Sequence, residues 1–179
     1  TMLLENHSAK ELGRNDGLSK DEIFSRTKLV ICLGGDGNYI GACRKFWEYG
    51  AYLFGVHTGR LGFLTDVVID ECAVFLAELK KGKFYLQQPK FLQAKLIKGQ
   101  NFISKLAFND ITLMREKINS ITQIDAFLDG KYFNSYIGDG LIISSPMGST
   151  AYNMSAGGAI MHPQCEIYAI TPVCSHALT

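Results

Sequence analysis

The sequence predicts a mixed α/β protein in two parts, a partial Rossmann-like α/β domain followed by an all-β, sandwich-like domain. Three observations predict it. Up to Gly82, helix-like and strand-like segments alternate with short links, and the strands are unbroken apolar runs such as LVICL (29–33), as in a parallel sheet covered on both faces. From Phe84 the texture turns to strand-like segments with partial alternation and many β-branched or aromatic residues. The 179 residues, 47% hydrophobic and 20% charged, can build a real core, enough for one full-sized domain or one domain and part of another.

The elements follow in order. LSKDEIFSR (18–26) predicts a short helix with Ser19 as N-cap and Asp21 and Glu22 in its first turn. LVICL lacks polar alternation and predicts a fully buried strand that runs into GGDG (34–37). A helix is predicted from Asn38 to Tyr49, with Ile40, Cys43, Phe46 and Trp47 on one face and Gly50 as its stop. AYLFGV (51–56) predicts a second buried strand, GRLGF (59–63) a loop, and 70–81 a helix ended by Gly82. Strand-like segments follow at 91–99, 102–108, 111–114, 121–128 and 131–137, and Asp129-Gly130 between the last two signals a type I′ hairpin. The change of texture and Pro89 put a domain boundary between 84 and 90, drawn as 1–86 and 87–179. No strand precedes the first helix, and the chain stops just after the strand-like EIYAITPV (166–173), so truncation at both ends is expected.

Composition removes several classes of function. Eighteen Lys and Arg against 17 Asp and Glu give a net charge of +1, which excludes a basic nucleic-acid stripe. No run approaches the roughly 18 apolar residues of a membrane helix, and TMLLENHSAKELG lacks the layout of a signal peptide. A cytoplasmic protein without membrane or nucleic-acid partners is expected. The five cysteines, Cys32, Cys43, Cys72, Cys165 and Cys174, form no C-x-x-C pair. They predict reduced thiols that behave mostly as small buried hydrophobes.

Two segments and one residue pair could carry chemistry. In LVICL-GGDG a strand turns through Gly34, Gly35 and Gly37 into a helix, which bares backbone N–H groups to an anion. Asp36 repels phosphate, so it serves a proton or a metal there, or else it caps the helix in an ordinary tight turn. A P-loop is ruled out because G-x-x-x-x-G-K-[ST] does not occur. A simple NAD-oxidoreductase fails as well, since Val56-His57 stands where the dinucleotide motif wants an acid. The second segment is GDGLIISSPMGSTAYNMSAGG (138–158), where an apolar strand empties into a hydroxyl-rich turn and a helix. Ser149 and Thr150 offer hydroxyls and N-cap chemistry, and Tyr152 a flat face, a set able to hold a base and its ribose or simply to start a helix. Asn109-Asp110 could hydrogen-bond a sugar edge or form a turn. His57, His162 and His176 have no spaced partners and are not assigned to a metal.

Taken in order, GGDGNYIGACR (34–44), GVHTGRLGFLTD (55–66), AFND (107–110), the 138–158 segment and ITPVCSHALT (170–179) resemble the NAD kinase family of the bacterial, ATP- or polyphosphate-using type. The resemblance implies phosphorylation of the adenosine ribose 2′-hydroxyl of NAD to give NADP, with ATP or polyphosphate as donor and a divalent metal, usually Mg²⁺. It implies that Asp36 is the general base and that Gly35 and Gly37 line the phosphates. Phe63 would lie near the nucleotide. Asn109, with Asp110 beside it, would bind the ribose, and Asp139, Thr150, Ala151, Tyr152 and Ser155 the dinucleotide. No metal ligand is assigned among the side chains. A homodimer or homotetramer is implied. The chain departs from the family at Asp110, where Glu is usual, at Met147, where Thr or Ser is common, and at Ala159, where Pro is usual. GGDG also occurs in lipid and diacylglycerol kinases, and a non-catalytic NAD sensor would keep the same pocket; both stand as alternatives.

Overall fold

Local signals account for most of the elements in the computed structural model, which describes residues 2–59, 62–65 and 67–176. The chain forms two compact units, Thr1–Phe84 and Tyr85–Thr179.

In the first unit, α1 (Asn6–Glu11) precedes α2 (Lys20–Phe24). Ser19 caps α2 in a full capping box: its hydroxyl accepts from Glu22 N, and the Glu22 carboxylate accepts from Ser19 N at 2.8 Å. Strand β1 (Leu29–Leu33) leads to α3 (Asp36–Phe46), a 3₁₀ turn at Trp47–Tyr49, and Gly50, whose left-handed φ of 61° stops the helix as its sequence position suggests. β2 (Tyr52–His57) pairs in parallel with β1 on one side and with the two-residue β3 (Val67–Val68) on the other. A 3₁₀ turn at Ile69–Glu71 then enters α4 (Cys72–Lys80), which gives way at Gly82, φ +74°. The core lies between sheet and α4: Phe54, Val56 and Val67 are buried against Cys72, Phe75 and Leu76, and the Phe54 and Phe75 rings stack at 4.0 Å.

Three expectations need correction in this unit. β1 is not fully buried, since Cys32 alone is buried in it and Leu33 is 64% exposed. Its only strand neighbour among the described residues is β2, so an apolar run that looks central sits at the sheet edge. α3 starts two residues earlier than Asn38, because Gly35 rather than a side chain ends the loop. The thiols are also less buried than expected. Cys32 and Cys43 are buried, and burial pushes them up to about 11 and about 12, but Cys72 and Cys165 are half-buried and Cys174 is exposed. All five are free. The loop expected at 59–63 falls partly on Arg60 and Leu61, outside the described residues.

The second unit is β-rich, divided into one three-stranded antiparallel sheet and two hairpins. β4 (Leu92–Lys98) and β5 (Asn101–Ala107) form the first hairpin. β7 (Thr122–Leu128) and β8 (Lys131–Gly138) form the second, and Asp129 (φ 50°) with Gly130 (φ 77°) make the type I′ turn that Asp-Gly announces. The remaining sheet places β9 (Gly140–Ser144) between β6 (Asp110–Met114) and β10 (Ala169–Val173). Leu141 and Ile142 of β9 are buried, so the central strand carries the unit's core. After β9 a 3₁₀ turn at Met147–Thr150 leads into the short α5 (Tyr152–Ser155). Among the described residues no helix is long and apolar enough to cross a membrane.

Candidate functional site

The first constellation sits where β1 meets α3. Gly34 takes φ +140° and its N–H donates to Val56 O at 2.9 Å, which turns the chain off the end of the sheet. A Cβ on Gly34 would run into the Asn38 amide, whose Nδ2 donates to Leu33 O at 3.3 Å and so latches the loop to the strand. Gly35 and Gly37 are exposed and have nothing within 4 Å of where a Cβ would stand, so their backbone is open to a ligand. No side chain caps α3; in its first turn Asn38 N and Tyr39 N donate to Gly35 O at 3.0 and 3.2 Å, at the positive end of the helix dipole.

Asp36 is not the helix cap. Gly35 occupies that position, and Asp36 is the first residue of α3. Its carboxylate points to the 62–64 loop, accepting from Phe63 N at 2.8 Å through Oδ2 and from Leu64 N at 3.1 Å through Oδ1. Phe63 itself is 75% exposed. Nearby, at the C-terminal end of β2, His57 is buried with neither ring nitrogen partnered among the described residues, and the buried Thr65 hydroxyl is likewise unpartnered.

The second constellation surrounds the end of β9, and its polar side chains hold a loop in shape. Ser145 Oγ donates to Phe108 O at 2.6 Å and accepts from Gly148 N at 3.1 Å, while Ser145 N donates to Asn109 O at 2.8 Å. Gly148 must be glycine, because a Cβ there would collide with the Asn109 carbonyl. These bonds bring Asn109 and Asp110 beside the 148–152 turn. Ser149 is fully buried and its hydroxyl is spent inside, donating to Pro146 O at 2.7 Å and accepting from Met161 N at 3.0 Å. The expected N-cap role of Ser149 and Thr150 is therefore absent: Ala151 is the N-cap of α5, with no side-chain hydrogen bond. Thr150 and Ala151 are half-buried, and Tyr152 and Ser155 are exposed.

Asn109 is half-buried, but its Oδ1 is buried and has no partner among the described residues. Asp139 is engaged elsewhere. It pairs with Arg115 Nη1 at 3.0 Å and precedes β9, whereas Asp110 and Asn109 lie at the other end of that strand. Five residues of strand separate them by about 17 Å, so they cannot touch the same group of a ligand. Burial raises the Asp110 carboxyl above the ordinary aspartate range. The folded state then holds this proton more tightly than the unfolded chain. Its stabilisation is full below the ordinary range and is lost as pH rises through the folded-state value. Asp110→Asn is expected to flatten that part of the stability–pH curve, measured by urea unfolding from acid to neutral pH.

Sequence reasoning missed the residues that support the site. The two N–H groups that hold Asp36 belong to the backbone and leave no mark in the side-chain pattern. Asn153 is buried and ties Ser149, Ala159 and Thr171 together, yet it reads in the sequence as an ordinary helix residue.

A family model for the ATP-NAD kinase N-terminal domain matches residues 5–84, and one for the ATP-NAD kinase C-terminal domain matches 108–179. The chain belongs to the NAD kinase family. An NAD kinase of Sulfurimonas denitrificans is 37% identical over 178 residues, 99% of this chain and 62% of its own length. One of Campylobacter jejuni is 44% identical over 160 residues, 89% of this chain and 56% of its own. The chain thus spans about three-fifths of these relatives. Among solved structures, yeast NADH kinase complexed with NADH superposes with a TM-score of 0.84 at 27% identity, covering 99% of this chain and 57% of that one. An Archaeoglobus fulgidus NAD kinase in complex with ATP shares the fold, with a TM-score of 0.68 at 22% identity over 96% of this chain and 67% of its own. Family models and relatives alike are NAD kinases, which leaves the lipid-kinase and sensor alternatives without support.

Proposed function

We propose that the protein is an NAD kinase that transfers the γ-phosphoryl of ATP, or the terminal phosphoryl of polyphosphate, to the adenosine ribose 2′-hydroxyl of NAD. The observation that carries this reading is the Asp36 carboxylate held at the N-terminus of α3, beside the open backbone of Gly35 and Gly37. A phosphate chain on that backbone would put its terminal group near a carboxylate able to accept a proton. The 2′-oxygen bonds to the γ-phosphorus, the bond from that phosphorus to the bridging oxygen of the leaving ADP breaks, and the hydroxyl proton passes to Asp36. The protein supplies position and charge rather than covalent chemistry.

In this reading Gly35 and Gly37 meet phosphate, Asp36 accepts a proton, and Phe63 offers its exposed ring to a nucleotide. The dinucleotide-binding residues belong to the second unit. Asn109, whose buried Oδ1 has no partner among the described residues, binds the ribose through its amide, with Asp110 beside it, and Thr150, Ala151, Tyr152 and Ser155 bind the rest of the dinucleotide. Asp139, tied to Arg115, serves a separate portion of the ligand. Among the described residues no three His, Cys, Asp or Glu side chains gather to hold a metal, and both Asp36 oxygens already accept N–H bonds. No side chain is assigned to a metal, and the divalent cation is assigned to the nucleotide as Mg–ATP, a substrate.

Exposed Ile97, Phe102, Phe127 and Phe133 on the hairpins support self-association as a homodimer or homotetramer. A cytoplasmic location goes with the substrates. The deciding experiment is a coupled assay for NADP with NAD or NADH as acceptor and Mg–ATP or polyphosphate as donor. A folded protein that makes no NADP from any of these pairs, or that binds NAD without consuming the donor, ends this reading.

A further inference from the structure

We infer that Gly62 is a positioning residue: its missing side chain makes room for the Asp36 carboxylate, which the Phe63 and Leu64 amides then clasp. The inference rests on the proposed role of Asp36, but the clasp itself is a matter of geometry. Gly62 has no need of glycine's backbone freedom, since its φ lies outside the left-handed range. What it lacks is space. A Cβ built on Gly62 meets Asp36 Oδ1, Oδ2 and Cγ as its three nearest atoms, with no backbone atom among them. The adjoining amides supply the other half: Phe63 N at 2.8 Å and Leu64 N at 3.1 Å each reach a different carboxylate oxygen.

The arrangement joins the N-terminus of α3 to the loop that carries Phe63. It also fixes the direction in which the carboxylate faces, because a bidentate pair of donors leaves little rotation about the side chain. A proton acceptor that must meet a hydroxyl within hydrogen-bond reach gains from being held so. Gly62→Ala is an unusually clean probe. The added methyl displaces only the tip of a side chain, so the fold should survive while the carboxylate turns aside.

Two measurements on Gly62→Ala, Asp36→Ala and the double variant test the clasp. Amide exchange at Phe63 and Leu64 should be slow in the unmodified chain and about 10-fold or more faster in each single variant, the worth of a charge-assisted hydrogen bond. The double variant should be no faster than Asp36→Ala, since without the carboxylate the methyl has nothing to displace. In the NADP assay Gly62→Ala should lose roughly 10²-fold in kcat, as expected for a misplaced group, with KM for NAD and the melting temperature nearly unchanged. Unprotected Phe63 and Leu64 amides in the unmodified chain would overturn the inference, as would a Gly62→Ala protein with full kcat. Should the unmodified protein make no NADP, the functional reading falls, and the exchange data alone decide the clasp.

Discussion

Asp36→Asn is expected to lower kcat by roughly 10²–10⁴-fold, the usual worth of a positioned general base. The side chain keeps its size and loses its proton acceptor. The structure adds a second loss that sequence alone did not suggest. Both carboxylate oxygens accept from backbone N–H groups, and the Asn amide can present only one oxygen. Its NH₂ must face the other donor, so one hydrogen bond becomes a donor–donor contact. A fall in kcat with Asn therefore mixes two causes, and Gly62→Ala separates them because it disturbs the clasp and keeps the carboxylate. If Asp36 is the base, Asn should cost more in kcat than Gly62→Ala, toward the upper end of that range. Equal losses would mean that orientation of the loop, not proton transfer, is what Asp36 supplies. NAD affinity should hold in Asp36→Asn, since a negative charge beside the phosphates has gone. The measurements are kcat, NAD affinity and melting temperature on both variants.

Elements governed by local rules were legible in the sequence. Gly50, Gly82 and the Asp129-Gly130 turn each demand a positive φ that the sequence advertises, and Ser19 and Glu22 form the capping box their spacing allows. What the sequence concealed depends on partners far along the chain. Nothing local distinguishes LVICL at a sheet edge from the same run at a sheet centre. β3 is two residues long and exists only because β2 lies beside it. Asp36 looks like a cap because Asp favours that place, whereas the carboxylate is drawn away by amides 27 and 28 residues on. Ser149 and Thr150 look equivalent, but the first faces inward and spends its hydroxyl on the protein. The candidate residues were thus readable as types, and the bonds that hold them in place were not.

Asn153→Ala is expected to cost the second unit about 3 kcal/mol or more, because several buried groups lose their partner at once, each worth about 1–3 kcal/mol. Asn153 is wholly buried. Its Nδ2 donates to Ser149 O at 3.1 Å and to Ala159 O at 3.0 Å, and its Oδ1 accepts from Thr171 Oγ1 at 2.7 Å. Gly158 completes the pocket, since a Cβ there would strike the Asn153 amide and approach Thr171 Oγ1 to 2.6 Å. The network ties the turn after β9 to β10 and to the 159–161 segment, so it sets where Thr150, Ala151 and Tyr152 stand. Against a typical domain stability of about 5–15 kcal/mol the loss is large enough to loosen that turn in the folded protein. Thr171→Val removes only the bond to Oδ1 and should cost about 1–3 kcal/mol. The two changes share a partner, so the double variant should be more stable than the sum of the single losses allows. NAD affinity should fall more in Asn153→Ala than in Thr171→Val, and exchange at Met161 N, which is held by Ser149 Oγ, should quicken in the same order. An Asn153→Ala protein with full stability and unchanged exchange at Met161 would show that the turn is held by its own packing rather than by this amide.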